Sequence, residues 1–200
     1  MLGLGSGLTS VSSPSGRVLL ETYTADWSSD VDGWASYDGN DNPATLTHGV
    51  TFEGKSDALR VQFNTDPGET SAAGISLNSP FSTTLQHGDR VIITTHIYLD
   101  SAYDSTGDGS DDLTGLWDGT DIVTVTLQGS GQHSDMWAVA QDEWKLLNTD
   151  TNGSDDDIVI VPSNANIYVV FQSSGDRPQY KARFYLHGLT AKLYRSQLFT

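Results

Sequence analysis

Cysteine is absent from all 200 residues, which excludes structural disulfides, thiolate metal sites and a cysteine nucleophile. Basic residues are few: ten Lys and Arg stand against 26 Asp and Glu, a formal charge of -16. A chain this acidic repels phosphate backbones and anionic lipid, so nucleic acid is not an expected partner. Long apolar runs are missing too. None approaches the ~20 residues that cross a bilayer as a helix, so no membrane contact is expected. The opening MLGLGSGLTSVSSPSG lacks the positive region of a secretory signal, and glycine breaks its apolar residues before a hydrophobic region forms. Helical periodicity is scarce throughout.

What is present is alternation of period two in short runs. Arg17–Thr24 is the first expected strand, followed by Ala44–His48 and by Ala58–Asn64, where Leu59, Val61 and Phe63 share one face. Gly74–Leu77, Arg90–Leu99, Ile122–Gln128, Met136–Val139, Glu143–Asn148, Asp157–Val161, Ile167–Gln172 and Lys181–Tyr194 complete the set. Between them lie clusters of Asp, Gly, Ser, Asn and Pro that read as turns, the longest being Asp100–Asp112. Many short strands at such spacing predict an all-β fold, an antiparallel β-sandwich or jelly roll. One domain over residues 17–200 is expected, behind an extended Gly/Ser-rich arm over residues 1–16. The pairing of LLETYTADWSSDVDGW (Leu19–Trp34) with FYLHGLTAKLY (Phe184–Tyr194) suggests that the first and last strands lie together.

The succession LLE, DWSSDVDGW, GKSDALRVQF, GDRVIITTHIYLD, DEWKLL, IYVVFQSSG and FYLHGLTAKLY resembles the carbohydrate-binding-module jelly rolls of the galactose-binding-like type. That resemblance implies that Gly33, Trp34, Leu59, Val61 and Trp144 build the core, with both tryptophans buried. It also implies a structural calcium held by an aspartate of the last strand. Leu186, His187 and Gly188 stand at that place, which puts the calcium in doubt.

The opening MLGLGSGLTSVSS resembles the first residues of small structural proteins of tailed bacteriophages. It implies a virion location, with the extracellular space as the alternative. The arm residues Met1, Leu2, Leu4 and Leu8 would dock on a neighbouring chain, a major capsid or tail protein or a second copy. Folding of the arm back onto its own domain is the competing account.

A sugar-binding site needs aromatic faces against which the C–H surface of a pyranose packs. Trp117 in LTGLWDGTD is the most suggestive, with Asp118 and Asp121 as hydroxyl acceptors, and Tyr37, Tyr103 and Trp137 are further candidates. The plainer reading of Trp117 is a cover for a sandwich edge or a subunit interface, and core packing is the plainer one for Trp137. Asp104, Asp108, Asp111 and Asp112 gather carboxylates that suit calcium. Their spacing departs from an EF-hand loop, so a solvated acidic turn is the better account. No other cofactor is expected.

Catalytic patterns are weak. The histidines His48, His87, His96, His133 and His187 are scattered, and no nucleophile elbow or phosphate loop occurs. Glu53, Glu69 and Glu143 are nominal glycosidase acids that read as surface carboxylates. The resulting expectation is a noncatalytic bacteriophage virion protein, a capsid decoration protein with a lectin-like fold. The alternative is a glycan-binding module of a tail fibre or of a secreted polysaccharide-active protein.

Overall fold

The alternating runs become paired strands because each carries one face that water does not solvate well. The computed structural model describes residues 17–38, 44–63, 73–86, 89–100, 121–128, 133–139, 141–150, 166–171 and 183–196. Among these lie β1 (Arg17–Thr24), β2 (Ala35–Asp38), β3 (Ala44–Phe52), β4 (Lys55–Phe63), β5 (Ala73–Leu77) and β6 (Arg90–Asp100). They continue with β7 (Asp121–Gln128), β8 (His133–Val139), β9 (Trp144–Asn148), β10 (Asn166–Phe171) and β11 (Arg183–Ser196). The described residues contain no helix. β2 is an addition to the expected strands, since ASYD is too short to display a period. The expected strand at Asp157–Val161 and the N-terminal arm lie outside the described residues.

Two antiparallel sheets result. One has the order β3-β4-β11-β6-β9 with β1 also on β11, and the other has the order β2-β5-β10-β7-β8. β11 organises the first. β6 runs along one of its edges, while β4 pairs with Arg183–Leu186 and β1 with Thr190–Ser196 on the other. The first and last strands therefore lie together, as their sequences suggest. A bulge between His187 and Thr190, with Gly188 at φ 63°, separates the two halves of β11. Glycine suits that left-handed backbone.

The facing sides of the sheets form the core. Leu59, Val61 and Phe63 of β4 are buried on one face, as expected, beside Ile93, Ile97 and Leu99 of β6 and Phe184 and Leu186 of β11. Ile75, Ile167 and Val169 meet them from the other sheet. Each such side chain contributes about 1.5–3 kcal/mol by leaving water. Trp34 is buried as expected, and its partner is Trp27, with ring centroids 6.2 Å apart in an edge-on arrangement.

Trp144 corrects the other half of that expectation. It is half-buried and lies on the solvent side of β9. The reason is phase: Leu147 takes the inward position at 1% exposure, and a residue three places away on a strand points to the opposite face.

Loops are fastened by specific polar contacts. Trp34 Nε1 donates to Tyr23 Oη at 3.0 Å, and that hydroxyl donates to Asp32 Oδ2 at 2.6 Å. Burial, with the Asp32 hydrogen bond, raises the Tyr23 hydroxyl above its ordinary pKa. The Glu21 carboxylate accepts from the backbone N–H groups of Ser82 and Thr83 at 2.9 and 2.8 Å. Arg195 grips buried Asp89 through Nε and Nη2 at 2.8 and 2.7 Å, joining the end of β11 to the entry of β6. Gly49, at φ 64°, donates its N–H to the Trp27 carbonyl at 2.6 Å, binding β3 to the loop after β1.

Candidate functional site

Two outer faces carry aromatic side chains. On the five-stranded sheet, Tyr37 of β2 and Tyr168 of β10 meet edge to face with centroids 4.8 Å apart and planes at 78°. Tyr37 is half-buried, and Tyr168 is 9% exposed. Ile167 and Val169, on either side of Tyr168, are fully buried, so Tyr168 occupies the outward phase. Cross-strand pairing places Tyr168 opposite Ser76 of β5 and Thr126 of β7, and Thr126 opposite Ser134 of β8. The next row joins Tyr37 to Gly74 and Val170 to Thr124. Ser76, Thr124, Thr126 and Ser134 thus hold register positions in these two rows.

On the six-stranded sheet, one row runs across five strands as Thr47, Arg60, Tyr185, Tyr98 and Trp144. A second joins His187, His96 and Leu146. A third joins Thr45, Gln62, Arg183 and Asp100. The β3–β4 hairpin folds over this face. Its turn has Glu53 at φ 43° and Gly54 at φ 76°, the left-handed pair that matches the twist of a two-residue hairpin. Phe52 stacks on Tyr185 at 3.7 Å between centroids and 4° between planes, and meets Tyr98 edge-on at 5.0 Å. Trp144 Nε1 donates to the Glu53 carbonyl at 3.2 Å, and Lys55 Nζ stands 5.3 Å from the centroid of the Trp144 ring.

Electrostatics on this face follow from that cover. Burial holds His96 and His187 below the ordinary histidine pKa, and the positive charge of Lys55 adds to the effect on both. Burial also raises the phenols of Tyr98 and Tyr185, with nearby carboxylates adding to each shift. Arg183 pairs with Asp100 at 2.9 Å, and Tyr185 Oη approaches the same carboxylate at 3.5 Å.

The residues singled out in the sequence fall mainly elsewhere. Trp117, Asp118, Tyr103, Asp104, Asp108, Asp111 and Asp112 lie outside the described residues, as do Met1, Leu2, Leu4, Leu8 and Glu69. Asp121 opens β7 opposite Val139, and Trp137 in β8 lies opposite Val123, which in turn faces Phe171. Both positions are out of phase with the Tyr168 row. Glu53 and Glu143 are exposed, as surface carboxylates are expected to be. Of the aromatic residues on these two faces, only Tyr37 is among the sugar-binding candidates of the sequence. RVIITTHIYLD carries their signal, because its outward phase holds His96, Tyr98 and Asp100 between core residues.

For the calcium implied by the jelly-roll resemblance, His187 and Gly188 offer no carboxylate where an aspartate is needed, and the carbonyl of adjacent Leu189 accepts the Ala25 N–H at 3.0 Å. Among the described residues no three His, Asp or Glu side chains form a metal-holding group. The last strand does not fit that ion.

No family model and no curated protein sequence matches this chain. Solved structures do. The CBM22-2 xylan-binding domain of Xyn10C from Paenibacillus barcinonensis is similar over 84% of this chain and 97% of its own, with 14% identity and a TM-score of 0.52. The Stig cyclase Fisc of Fischerella sp. TAU is similar over 88% of this chain and all of its own (100%), with 10% identity and a TM-score of 0.53. The family 22 carbohydrate-binding module of Clostridium thermocellum Xyn10B covers 94% of this chain and 99% of its own at 17% identity, with a TM-score of 0.48. The fold is a carbohydrate-binding-module-like jelly roll, as the sequence resemblance implies. The phage resemblance of the opening residues finds no counterpart among these structures.

Proposed function

We propose that this chain is a noncatalytic glycan-binding module whose sugar-facing surface is the outer side of the five-stranded sheet around Tyr37 and Tyr168. The observation that carries the reading is the Tyr37–Tyr168 ring pair, 4.8 Å between centroids, with Tyr168 in register with Ser76, Thr126 and Ser134 and Tyr37 in the adjacent row. Sugar rings offer C–H faces to aromatic side chains, which the ring pair supplies, and hydroxyls to hydrogen-bonding groups, for which Ser76 stands next to Tyr168 in register. The jelly roll is a fold that such modules use, which supports the reading at the level of architecture.

The noncatalytic part is supported by the contacts of three described carboxylates, Asp89, Asp100 and Asp32. Asp89 is gripped by Arg195, Asp100 by Arg183, and Asp32 by Tyr23, each in a contact that holds strands or loops together. Carriage by a phage particle is the finer expectation, and it rests on MLGLGSGLTSVSS alone. A mass-spectrometric inventory of purified particles tests that point separately.

The central experiment is retention of the full chain in native gels containing uncharged polysaccharides, after a glycan array has chosen the best of them. Tyr37→Ala is expected to weaken retention at least about tenfold, the scale of a binding hot spot, while the melting temperature shifts little. If the unaltered protein is retained by none of the polysaccharides, the reading fails.

A further inference from the structure

We infer that Trp144 and Leu146 form a second glycan site, on the outer side of the six-stranded sheet, that accepts uncharged sugar chains and rejects carboxylated or sulfated ones. For its ligand class the inference rests on the glycan-binding reading, but its residues belong to the opposite sheet.

The indole is prepared for a ligand. Trp144 is half-exposed on an edge strand, yet its orientation is held by the bond from Nε1 to the Glu53 carbonyl and by edge contacts with Tyr98 at 5.5 Å and His187 at 6.3 Å. A rigid aromatic loses little freedom when a ligand packs on it. Leu146 lies in the same phase of β9, opposite His96, and is 42% exposed. Two residues apart on a strand is about 6.6–6.8 Å. The pair therefore presents an apolar strip longer than one pyranose ring. Among the described residues β9 ends the sheet order.

Polar partners flank the strip. Lys55 Nζ stands over the indole at 5.3 Å on a flexible stem and offers donors to sugar hydroxyls. Exposed Glu53 and Glu143 offer acceptors from the hairpin turn and from the entry to β9. The charge balance decides the ligand class. Exposed Glu53 and Asp57 flank Lys55 along the hairpin and exposed Glu143 precedes Trp144, while Lys145 occupies the other phase of β9, opposite Ile97. His96 and His187 are held toward their neutral forms. On a chain of net charge -16, exposed Glu53, Asp57 and Glu143 outnumber Lys55 here. Arg60 of the same row is separated from Trp144 by two strands and bonds to Thr47, so a uronate or sulfate meets net repulsion at this site.

The test uses native gels of the full chain with a panel of uncharged polysaccharides and with polygalacturonate. Tyr37→Ala disables the other face and is expected to leave residual retention by the uncharged chains. Adding Leu146→Glu, at an exposed position outside the core, is expected to remove that residue of binding. Trp144→Ala in the same background should lower it at least about tenfold, and a melting curve shows whether the hairpin has survived. Polygalacturonate should not retain any of the variants. The inference is overturned if Leu146→Glu and Trp144→Ala leave retention unchanged, if Tyr37→Ala alone abolishes it, or if polygalacturonate is retained as strongly as the uncharged chains. In these cases the reading of the five-stranded face can still stand. Absence of retention of the unaltered protein by every polysaccharide removes both.

Discussion

The indole N–H of Trp144 bonds to the carbonyl of Glu53, 91 positions earlier in the chain, at 3.2 Å. That contact reaches over two strands, β11 and β6, and fastens the β3–β4 hairpin to the far edge of its own sheet. Beneath it Phe52 closes over Tyr185 and Tyr98, so the outer side carries a small apolar layer of its own.

Burial separates the tryptophans in stability. Trp27→Ala and Trp34→Ala should each cost about 3–5 kcal/mol. Trp144→Ala, on the half-exposed face, should cost roughly 1–2 kcal/mol, as partial burial implies. Urea unfolding of the three variants gives the order, and equal losses would place Trp144 in the core after all.

The hairpin turn depends on backbone handedness. Gly54 has φ 76° and nothing within 4 Å of the position a Cβ would take, so replacement strains the backbone without a clash. Gly54→Ala should destabilise by about 1–2 kcal/mol, the cost of a left-handed L-residue. It should also change Trp144 fluorescence, because the Glu53 carbonyl moves with the turn.

Acid sensitivity has a named source in Glu21. Hydrogen bonds from Ser82, then Thr83, hold its carboxyl down from 4.5 to about 2. A folded-state value below the unfolded one contributes stability above pH 4.5 that is lost as pH falls toward 2. Glu21→Gln should lower stability at neutral pH and flatten the decline across that window, which denaturant midpoints at stepped pH measure.

The histidine pair should act over a higher range. Burial, reinforced by Lys55, holds His96 and His187 below the ordinary 6.5. The unfolded chain then binds more protons just below that value, so stability falls as pH drops through 6.5 and levels off once the folded forms titrate. In the double variant His96→Gln/His187→Gln, the difference in melting temperature between pH 7.5 and 5.5, values chosen to bracket the titration (about one unit either side), should shrink.

Much of the architecture is legible in local patterns. RVIITTHIYLD declares a two-faced strand, and DALRVQF places Leu59, Val61 and Phe63 together without any knowledge of neighbours. Trp27 escaped notice because DWSSD reads as a polar turn, and only the approach of Trp34 and of β3 encloses it. Trp144 misled for a related reason. WKLLN is too short to declare its phase, and the decision came from Leu147 entering the core.

By itself the sequence determined the class of fold, the strand positions and the exclusion of thiol chemistry, because alternation, turn residues and composition act within a few neighbours. It also determined the strongly negative charge, -16 in all. The tertiary structure alone decided which aromatics meet. Tyr37 faces Tyr168, and Phe52 covers Tyr185, because strand order and register bring distant segments into one row. Such rows depend on cross-strand pairing, which short-range periodicity does not encode.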